Sequence, residues 1–396
     1  MRWPEGTQVL RLEDIDGAIL VEATLRSADR DTSGPMLLDT GAGYLAVDLA
    51  LALSMGLTDS AAVGEPVGLA RRPLQRIELG TLQMDQVSPV LIVDAGIIRR
   101  VTGRPVLGLL GQALVRDRVL VVDYRSGDLV ILPPGRAAAP GRSGLPESVL
   151  SPSAIAVPFR LAGDGKIIVV VRVTGRPGQR PTELNLIVDT GATKTTLFRQ
   201  AIDRRLPAWR SWPRLRGLGA PTFSGDAAAE MVRVPRLEIG PREGGLGRSG
   251  MDAAVIDGDL PATLATVIEG PADGLLGYSF LKHFRVVLDY PRRVLWLDPR
   301  HGDVPDRPWE YSHPGIQLES VGGSVRVMSV AVGSPAARSG VRKGDELLAV
   351  NGHQVGAEDL LEVGRRLEGR PGTEVVLKLR RGRREWSVRM LRAPLL

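Results

Sequence analysis

Short apolar runs separated by turn residues dominate most of the chain. In some runs apolar and polar positions alternate, and others are apolar throughout. Both patterns are typical of β-strands and not of long amphipathic helices. The 47 Gly and 29 Pro residues favour many turns between short strands. The pattern therefore predicts a mainly β fold.

Three segments depart from the strand pattern and are predicted to be helical. Asp48 precedes the first, over residues 49–55, as a candidate N-cap, and Gly56 follows it as a stop signal. The second covers residues 197–206, and the third lies near residues 358–367. These segments are short, so the prediction of a β-rich fold stands.

The same series of blocks occurs twice along the chain, in the same order. Early blocks recur at an offset of 150 residues, one intermediate block at 160, and later blocks at 166. We interpret each copy as one β-rich lobe, and the larger offset as loop insertions in the second copy. The matching segments are 18–21 with 168–171, 36–42 with 186–192, 76–80 with 236–240, 108–111 with 274–277 and 122–124 with 288–290.

A chain of 396 residues is too long for one compact core and indicates two or three domains. Segments 133–152 and 299–314 are rich in Pro and are predicted to be linkers. After the second linker the pattern changes to strands, Gly-rich turns, one helix and a final hairpin. We therefore predict a first lobe over 1–140, a second lobe over 153–300, and a small α+β module over 313–396 that moves semi-independently.

Each lobe carries Asp-Thr-Gly-Ala at the end of an apolar strand, with Asp39 in the first and Asp189 in the second. A single Asp-Thr-Gly is usually only a turn. Here both copies are preceded by an apolar strand and followed later by Gly-Leu-Leu-Gly. Turn chemistry alone does not explain why the two halves share the whole series in order.

These motifs resemble the aspartic peptidases, and in particular their retropepsin-like branch, in which Asp-Thr-Gly-Ala is the usual form. The resemblance implies two pseudo-symmetric lobes with Asp39 and Asp189 facing each other as the catalytic pair. One proton shared by the pair would allow hydrolysis of protein or peptide substrates without a metal or cofactor. It also implies supporting roles for the residues that follow each aspartate, Thr40, Gly41, Thr190 and Gly191.

The parts of the sequence that would close over the substrate differ between the lobes. Segment 63–72 is the candidate for the first flap, the hairpin that would cover the substrate. It has no Tyr, although the pepsin branch carries one there. Segment 217–225 of the second lobe is Gly-rich and is the alternative flap candidate. Ala42 and Ala192 stand where the pepsin branch usually has Ser or Thr. The loss of such donors predicts an activity optimum less acidic than that of pepsin.

Residue counts exclude several other chemistries. The chain has no Cys, so thiolate nucleophiles, thiolate metal sites and disulfides are excluded. None of its four His lies before residue 283, so neither a Ser-His-Asp triad nor a zinc helix fits the lobes. No apolar run has the length of a membrane span. The N-terminus does not lead into a signal peptide, so the chain as written is expected in the cytoplasm, or in the envelope or periplasm if that end is incomplete.

The last module is similar to bacterial PDZ domains of the kind attached to envelope proteases. The similarity lies in the series Gly-Ser-Pro-Ala-Ala at 333–337, Lys-Gly-Asp at 343–345 and Asn-Gly at 351–352. It implies that segment 315–318, beginning at Gly315, binds the C-terminal carboxylate of a peptide that adds as a strand. Ile316, Leu318 and Leu361 would line the apolar pocket, although such residues can equally be core.

Other functions remain open at this level. The net charge is +6, and Arg380, Arg381, Arg383 and Arg384 form a basic cluster. Without interleaved aromatics this cluster is interpreted as a solvated hairpin tip and not as a nucleic-acid site. A catalytically idle peptide-binding scaffold is the alternative to the endopeptidase, and a nucleic-acid adaptor is a third. Because both lobes lie in one chain, a monomer is expected.

Overall fold

The computed structural model describes residues 3, 5–59, 67–133, 145, 149–223, 225–268, 270–356 and 360–396, with the backbone alone at 67 and 300–303. The chain is mainly β, which confirms the predicted fold class. Two lobes are followed by a small α+β module. Within the described ranges no helix is long and apolar enough to cross a membrane.

The first lobe consists of antiparallel hairpins with a few parallel pairings near the candidate site. Two short helices pack against its sheet, α1 (Leu49–Ser54) and α2 (Gly96–Thr102). Its strands are β1 (Gln8–Ile15), β2 (Ala18–Arg26), β3 (Asp31–Leu38), β4 (Leu45–Asp48), β5 (Val67–Leu69), β6 (Leu74–Leu79), β7 (Leu82–Val87), β8 (Val90–Val93), β9 (Gly108–Leu110), β10 (Val119–Asp123) and β11 (Asp128–Leu132).

The second lobe repeats this arrangement with a longer central hairpin. Its helices are α3 (Arg199–Arg205), α4 (Leu260–Val267) and α5 (Tyr278–Leu281). Its strands are β12 (Ile155–Pro158), β13 (Arg160–Ala162), β14 (Lys166–Thr174), β15 (Thr182–Val188), β16 (Thr195–Phe198), β17 (Arg214–Thr222), β18 (Gly225–Ile239), β19 (Leu246–Ile256), β20 (Gly274–Leu276), β21 (His283–Asp289) and β22 (Val294–Asp303).

A sheet that crosses the lobe boundary joins the two halves. β10 of the first lobe pairs antiparallel with β21 of the second, with Val121 opposite Val287. The sheet runs in the order β12-β22-β21-β10-β11-β1. β10 and β21 are buried throughout, and their pairing brings the two lobes together with a fixed register. Periodicity along each lobe did not predict this shared sheet.

The C-terminal module has an antiparallel sheet with one long helix beside its edge strand. The basic cluster lies at the turn of its last hairpin, where Arg380 bonds Glu346 and Arg381 bonds Asp345. Its strands are β23 (Ser312–His313), β24 (Ile316–Val321), β25 (Ser324–Val330), β26 (Glu346–Val350), β27 (His353–Gln354), β28 (Glu374–Arg381), β29 (Arg384–Leu391) and β30 (Ala393–Pro394), and its helices are α6 (Pro335–Arg338) and α7 (Leu360–Leu367).

The predicted helices are present with shifted ends. α1 follows Asp48, but the Asp48 side chain makes no capping bond. It is buried and instead accepts from the Ala95 N–H and from Arg99 at the start of α2, so tertiary contacts displace the predicted cap. α3 begins at Arg199 because the two residues before it belong to β16. The third helix is α7, and Glu358 lies outside the described residues.

The second predicted linker is not a free tether. β22 continues to Asp303, and the following residues are bonded to both lobes. The Tyr311 hydroxyl donates to Asp252 at 2.6 Å, and Arg307 bonds Asp16 of the first lobe at 2.8 Å. Charged and hydroxyl side chains thus hold this segment in place.

The module itself is docked on the second lobe and on α2. The Val332 N–H donates to the Arg216 carbonyl at 2.9 Å, and the Gly219 N–H donates to Gln317 Oε1 at 2.8 Å. From the first lobe, Arg100 reaches Glu319 at 3.3 Å. The expected semi-independent movement is therefore replaced by an extensive interface, which the Pro-rich composition of the linker did not indicate.

Candidate active site

The two aspartates occupy equivalent positions at the ends of β3 and β15. Each of these strands pairs in parallel with a strand made by the later Gly-Leu-Leu motif, β9 and β20 respectively. The Asp39 N–H donates to the Leu110 carbonyl and the Asp189 N–H to the Leu276 carbonyl, both at 3.1 Å. The repeated blocks therefore meet in space and fix both aspartates.

Glycine in the Gly-Leu-Leu-Gly motifs allows backbones to pass at contact distance. A Cβ on Gly111 would lie 2.0 Å from the Tyr44 carbonyl oxygen. A Cβ on Gly277 would lie 2.5 Å from the Lys194 carbonyl oxygen. A side chain at either place would displace the loop that follows the Asp-Thr-Gly turn, so the sequence motif has a steric cause.

Thr40 and Thr190 bind the two turns together. The Thr40 hydroxyl donates to the Val188 carbonyl at 2.9 Å, and the Thr190 hydroxyl donates to the Leu38 carbonyl at 2.8 Å. Each hydroxyl thus crosses the lobe boundary to the strand that carries the other aspartate. Both side chains are buried, so these bonds are shielded from water.

The need for glycine at Gly41 and Gly191 does not come from their backbone angles. Neither has a positive φ. A Cβ on Gly41 would instead lie 2.7 Å from Cγ of Asp189, and a Cβ on Gly191 would lie 2.7 Å from Cγ of Asp39. Each glycine therefore makes room for the carboxyl group of the opposite lobe. That close approach is the reason for glycine at both positions.

The amides that follow each aspartate hold its carboxyl group. Asp39 Oδ1 accepts from the Ala42 N–H at 2.9 Å. Asp189 Oδ1 accepts from the N–H groups of Gly191 and Ala192, at 2.8 and 3.1 Å. Such bonds orient the carboxyls and favour their charged form, in opposition to burial.

The electrostatics of the two carboxyls differ. Burial raises the pKa of Asp189 well above the usual 3.8, and the neighbouring Asp39 carboxylate raises it further. Burial also raises the pKa of Asp39, but the Ala42 N–H, the bond from Asp189 and the positive charge of Lys166 oppose that shift. Burial and the mutual repulsion of the two carboxyls therefore favour a single proton shared by the pair.

Lys166 was missed in the sequence. It is a buried cation whose Nζ bonds both carboxylate oxygens of Asp164, at 2.8 and 2.9 Å. Asp164 in turn lies against Gly43 in the loop after the first catalytic turn. The turn between β13 and β14 thus reaches across to the other lobe. In the sequence, the one signal for Lys166 is that it lies at the repeat offset, 150 residues after Asp16.

The aspartates open into a cavity of about 670 Å³, within the range of about 300–1,000 Å³ usual for ligand sites. The second-lobe hairpin of β17 and β18 covers part of it, and residues 218–223 line it. This is the predicted second-lobe flap candidate. Residues 68–72 of the first-lobe candidate do not line the cavity. Residues 63–66 and the side chain of residue 67 lie outside the described part of the chain.

The predicted pocket residues of the C-terminal module separate into two groups. Ile316, Leu318 and Leu361 line the same cavity as the aspartates. Gly315 does not, and its N–H donates to His313 Nδ1 at 3.0 Å. Burial and the charge of Arg307 lower the pKa of His313 to about 4, so the imidazole is neutral and accepts this bond. The Gly315 N–H is thus bonded within the protein. It is not available to a peptide carboxylate, contrary to the prediction from the sequence.

Two family models match the chain. One, described as aspartyl protease, matches residues 169–280, which include the second Asp-Thr-Gly and its Gly-Leu-Leu-Gly. The other, described as PDZ domain, matches residues 326–381. The first match covers the second lobe alone, although the first lobe carries the same series of motifs.

Individual relatives share shorter segments. A probable CtpA-like serine protease of Staphylococcus aureus is 35% identical over 78 residues, 20% of this chain and 16% of the relative. The chloroplastic carboxyl-terminal-processing peptidase 3 of Arabidopsis thaliana is 40% identical over 65 residues, 16% of this chain and 12% of the relative. The chain thus spans less than a fifth of these curated relatives.

A solved aspartic proteinase, from Irpex lacteus, aligns with 74% of this chain and 97% of its own, at 13% identity and a TM-score of 0.42. By the two family models, the protein carries an aspartyl protease segment over residues 169–280, within its second lobe, and a PDZ domain over residues 326–381.

Proposed function

We propose that the protein is a retropepsin-like aspartic endopeptidase with Asp39 and Asp189 as its catalytic pair. One observation carries the proposal: two carboxyls from different lobes meet in a cavity, and their surroundings favour one proton on the pair. A pair of this kind supplies a general base and a general acid at once. The aspartyl protease match over the second lobe supports the same chemistry.

The roles follow from the single proton that the pair shares, and in the proposed cycle that proton starts on Asp189. Asp39, as carboxylate, takes a proton from a water molecule, and the water oxygen attacks the carbonyl carbon of the scissile peptide. Asp189 gives its proton to the carbonyl oxygen, so the tetrahedral intermediate is neutral. Collapse of that intermediate returns one proton to the pair and places another on the leaving nitrogen. The products are a carboxylic acid and an amine, and one water is consumed.

The proposal is tested by incubating the purified full chain with a denatured protein, with and without pepstatin, and mapping fragments by mass. Asp39→Asn and Asp189→Asn should each abolish cleavage, because neither carboxyl alone supplies both roles. Asp85→Asn changes an exposed carboxylate on β7 and is the matched control. Circular dichroism and thermal unfolding should show that all three variants fold.

Full activity in either catalytic variant would overturn the mechanism. Pepstatin-sensitive binding of a polypeptide without any cleavage by the native chain would instead support the idle scaffold. The intact pair argues against that alternative, since a scaffold has no need for two carboxyls held at a cost in stability.

A further inference from the structure

The peptide groove of the PDZ domain opens into the catalytic cavity. The walls of a PDZ groove are the edge strand and the long helix, here β24 and α7. β24 is at the edge of its sheet. Ile316 and Leu318 on β24, and Leu361 on α7, line the cavity together with Asp39 and Asp189. A peptide in the groove would therefore lie in the same space as the reacting bond.

An apolar surface connects the groove with the catalytic turn. Leu361 on α7 packs against the same hydrophobic cluster as Ala42, the third residue after Asp39. Ile97 on α2 and Phe223 at the tip of the flap hairpin belong to that surface as well. Side chains from both lobes and from the PDZ domain thus form one continuous wall, suited to an extended segment with apolar side chains.

The ends of the groove have different surroundings. At the end near Glu319 and Leu361 it faces α2, from which Arg100 bonds Glu319. At the other end, near Gly315, it faces the segment that joins the PDZ domain to the second lobe, where the Gly369 N–H donates to the Ser312 carbonyl. Peptides bind PDZ domains with their carboxylate at the loop before the edge strand. Their upstream residues would here run toward Leu361 and the first lobe.

Two arginines lie near the carboxylate end. Arg365, near the C-terminal end of α7, and Arg307 both line the cavity. Arg307 is also paired with Asp16, Glu310 and Glu368, which line the same cavity, so the charges at this end are mixed. A free C-terminal carboxylate can form an ion pair with these guanidinium groups, whereas a neutral amide cannot.

We propose that the protein binds the free C-terminus of a polypeptide substrate in the PDZ groove and cleaves the same polypeptide a short, constant number of residues upstream. The product would be a short C-terminal peptide. This inference rests on the proposed function for the cleavage step, whereas the path of the bound peptide can be tested without cleavage.

Cleavage tests the constant spacing. A set of peptides would carry one scissile sequence, followed by spacers that place the free carboxylate from about 3 to about 20 residues downstream, up to roughly 65 Å of extended chain. We expect kcat/KM to peak at a short spacer and to fall at least about tenfold at the longest, a change of ~1.4 kcal/mol. Amidation should lower the peak to the level of the long spacer. Equal values across the set would overturn the inference while leaving the endopeptidase in place.

Crosslinking tests the path in the inactive Asp39→Asn full chain. Peptides with a free carboxylate would carry a photo-crosslinking residue a few positions upstream. We expect crosslinks to the lobe segments that contain Ala42, Ile97 or Phe223, and their loss in Leu361→Glu. Leu391→Glu changes an exposed residue on the other side of the domain and should leave them unchanged. Crosslinks confined to the PDZ domain, or unaffected by Leu361→Glu, would overturn the path whether or not the native chain cleaves.

Discussion

The backbone N–H of Thr40 donates to Oγ1 of Thr190, and the N–H of Thr190 donates to Oγ1 of Thr40, each over 3.1 Å. This exchange is symmetric, although the residues are 150 positions apart. Each hydroxyl also donates to a strand of the opposite lobe. Four buried hydrogen bonds thus depend on two side chains, and they set the separation of the aspartates.

Thr40→Val should weaken the lobe interface. The isosteric change leaves the Thr190 N–H and the Val188 carbonyl without their partner, and a buried group in that condition costs about 1–3 kcal/mol. We expect the free energy of unfolding in urea to fall by about that amount and kcat to fall with it. Thr40→Ser keeps the hydroxyl and is the control. A valine variant as stable and active as the serine variant would contradict the role of these bonds.

Asp189→Asn should change how stability depends on pH. Because the folded-state pKa of Asp189 is raised, its proton stabilises the fold below the unfolded value of 3.8, and this contribution is lost as the pH rises toward the folded pKa. Asparagine does not titrate. The variant should therefore gain stability relative to the native chain as the pH increases from 3.8, by at most about 1.4 kcal/mol per pH unit.

Urea unfolding at a series of pH values measures this difference. Asp85→Asn on the surface serves as the matched control for the loss of a carboxylate. A loss of stability of Asp189→Asn relative to the native chain as the pH rises would show that the pKa of Asp189 is lowered and not raised. That result would also argue against a cycle that starts with the proton on Asp189.

Ala42→Ser should shift the acidic limb of the activity profile. Ala42 lines the cavity, and its N–H already donates to Asp39. An added hydroxyl donor would favour the charged form of Asp39 and lower its pKa, so activity would persist to lower pH. Profiles of kcat/KM against pH for the native chain and the variant measure the shift. An unmoved limb would show that the hydroxyl does not reach the carboxylate.

Arg100→Glu should loosen the PDZ domain. Arg100 extends from α2 to Glu319 on β24 and to Asp226 on the flap hairpin, and the reversal places three acidic groups together. The pairs are partly exposed, so we expect a loss in global stability of no more than about 1 kcal/mol. Hydrogen exchange should nevertheless accelerate in α2 and β24. Arg389→Glu, which breaks an exposed pair with Glu374, is the control and should leave both elements protected.

Removal of the PDZ domain should impair cleavage even of short peptides. Truncation after residue 312 deletes β24 and α7, which supply one wall of the cavity, and exposes Leu218 and Phe223 of the flap. A semi-independent module would have left short-peptide activity unchanged. Comparison of kcat/KM for one short peptide in the full and truncated chains distinguishes the two, provided that circular dichroism shows the truncated lobes to be folded.

Recognition of the aspartates from the sequence succeeded because the chemistry is local. Asp-Thr-Gly needs a carboxyl, a hydroxyl and a residue without Cβ in direct succession. The glycines of Gly-Leu-Leu-Gly allow two backbone segments to cross at contact distance. The structure brings these blocks together as their order suggested. The same local argument did not indicate why residue 41 is glycine, because the group that Gly41 makes room for belongs to the other lobe.

Contacts between distant segments account for what the sequence did not indicate. Arg100 and Glu319 are 219 residues apart, and nothing near either one signals the other. The charge of Lys166 lowers the pKa of Asp39, and the fold alone brings these two residues near each other. The PDZ domain is docked by single hydrogen bonds to backbone groups such as the Arg216 carbonyl. Interfaces of this kind depend on the final shape and leave no periodic pattern.

The pairing of β10 with β21 has a consequence for synthesis of the chain. Asp123 ends β10 and bonds Arg285, which is 162 residues further along. While the ribosome makes the intervening segment, the finished first half presents an apolar edge strand without its neighbour, a surface open to pairing with another nascent chain. Stalled or nicked products that end before residue 283 should accumulate as aggregates or chaperone clients, even though they contain a complete copy of the repeated lobe.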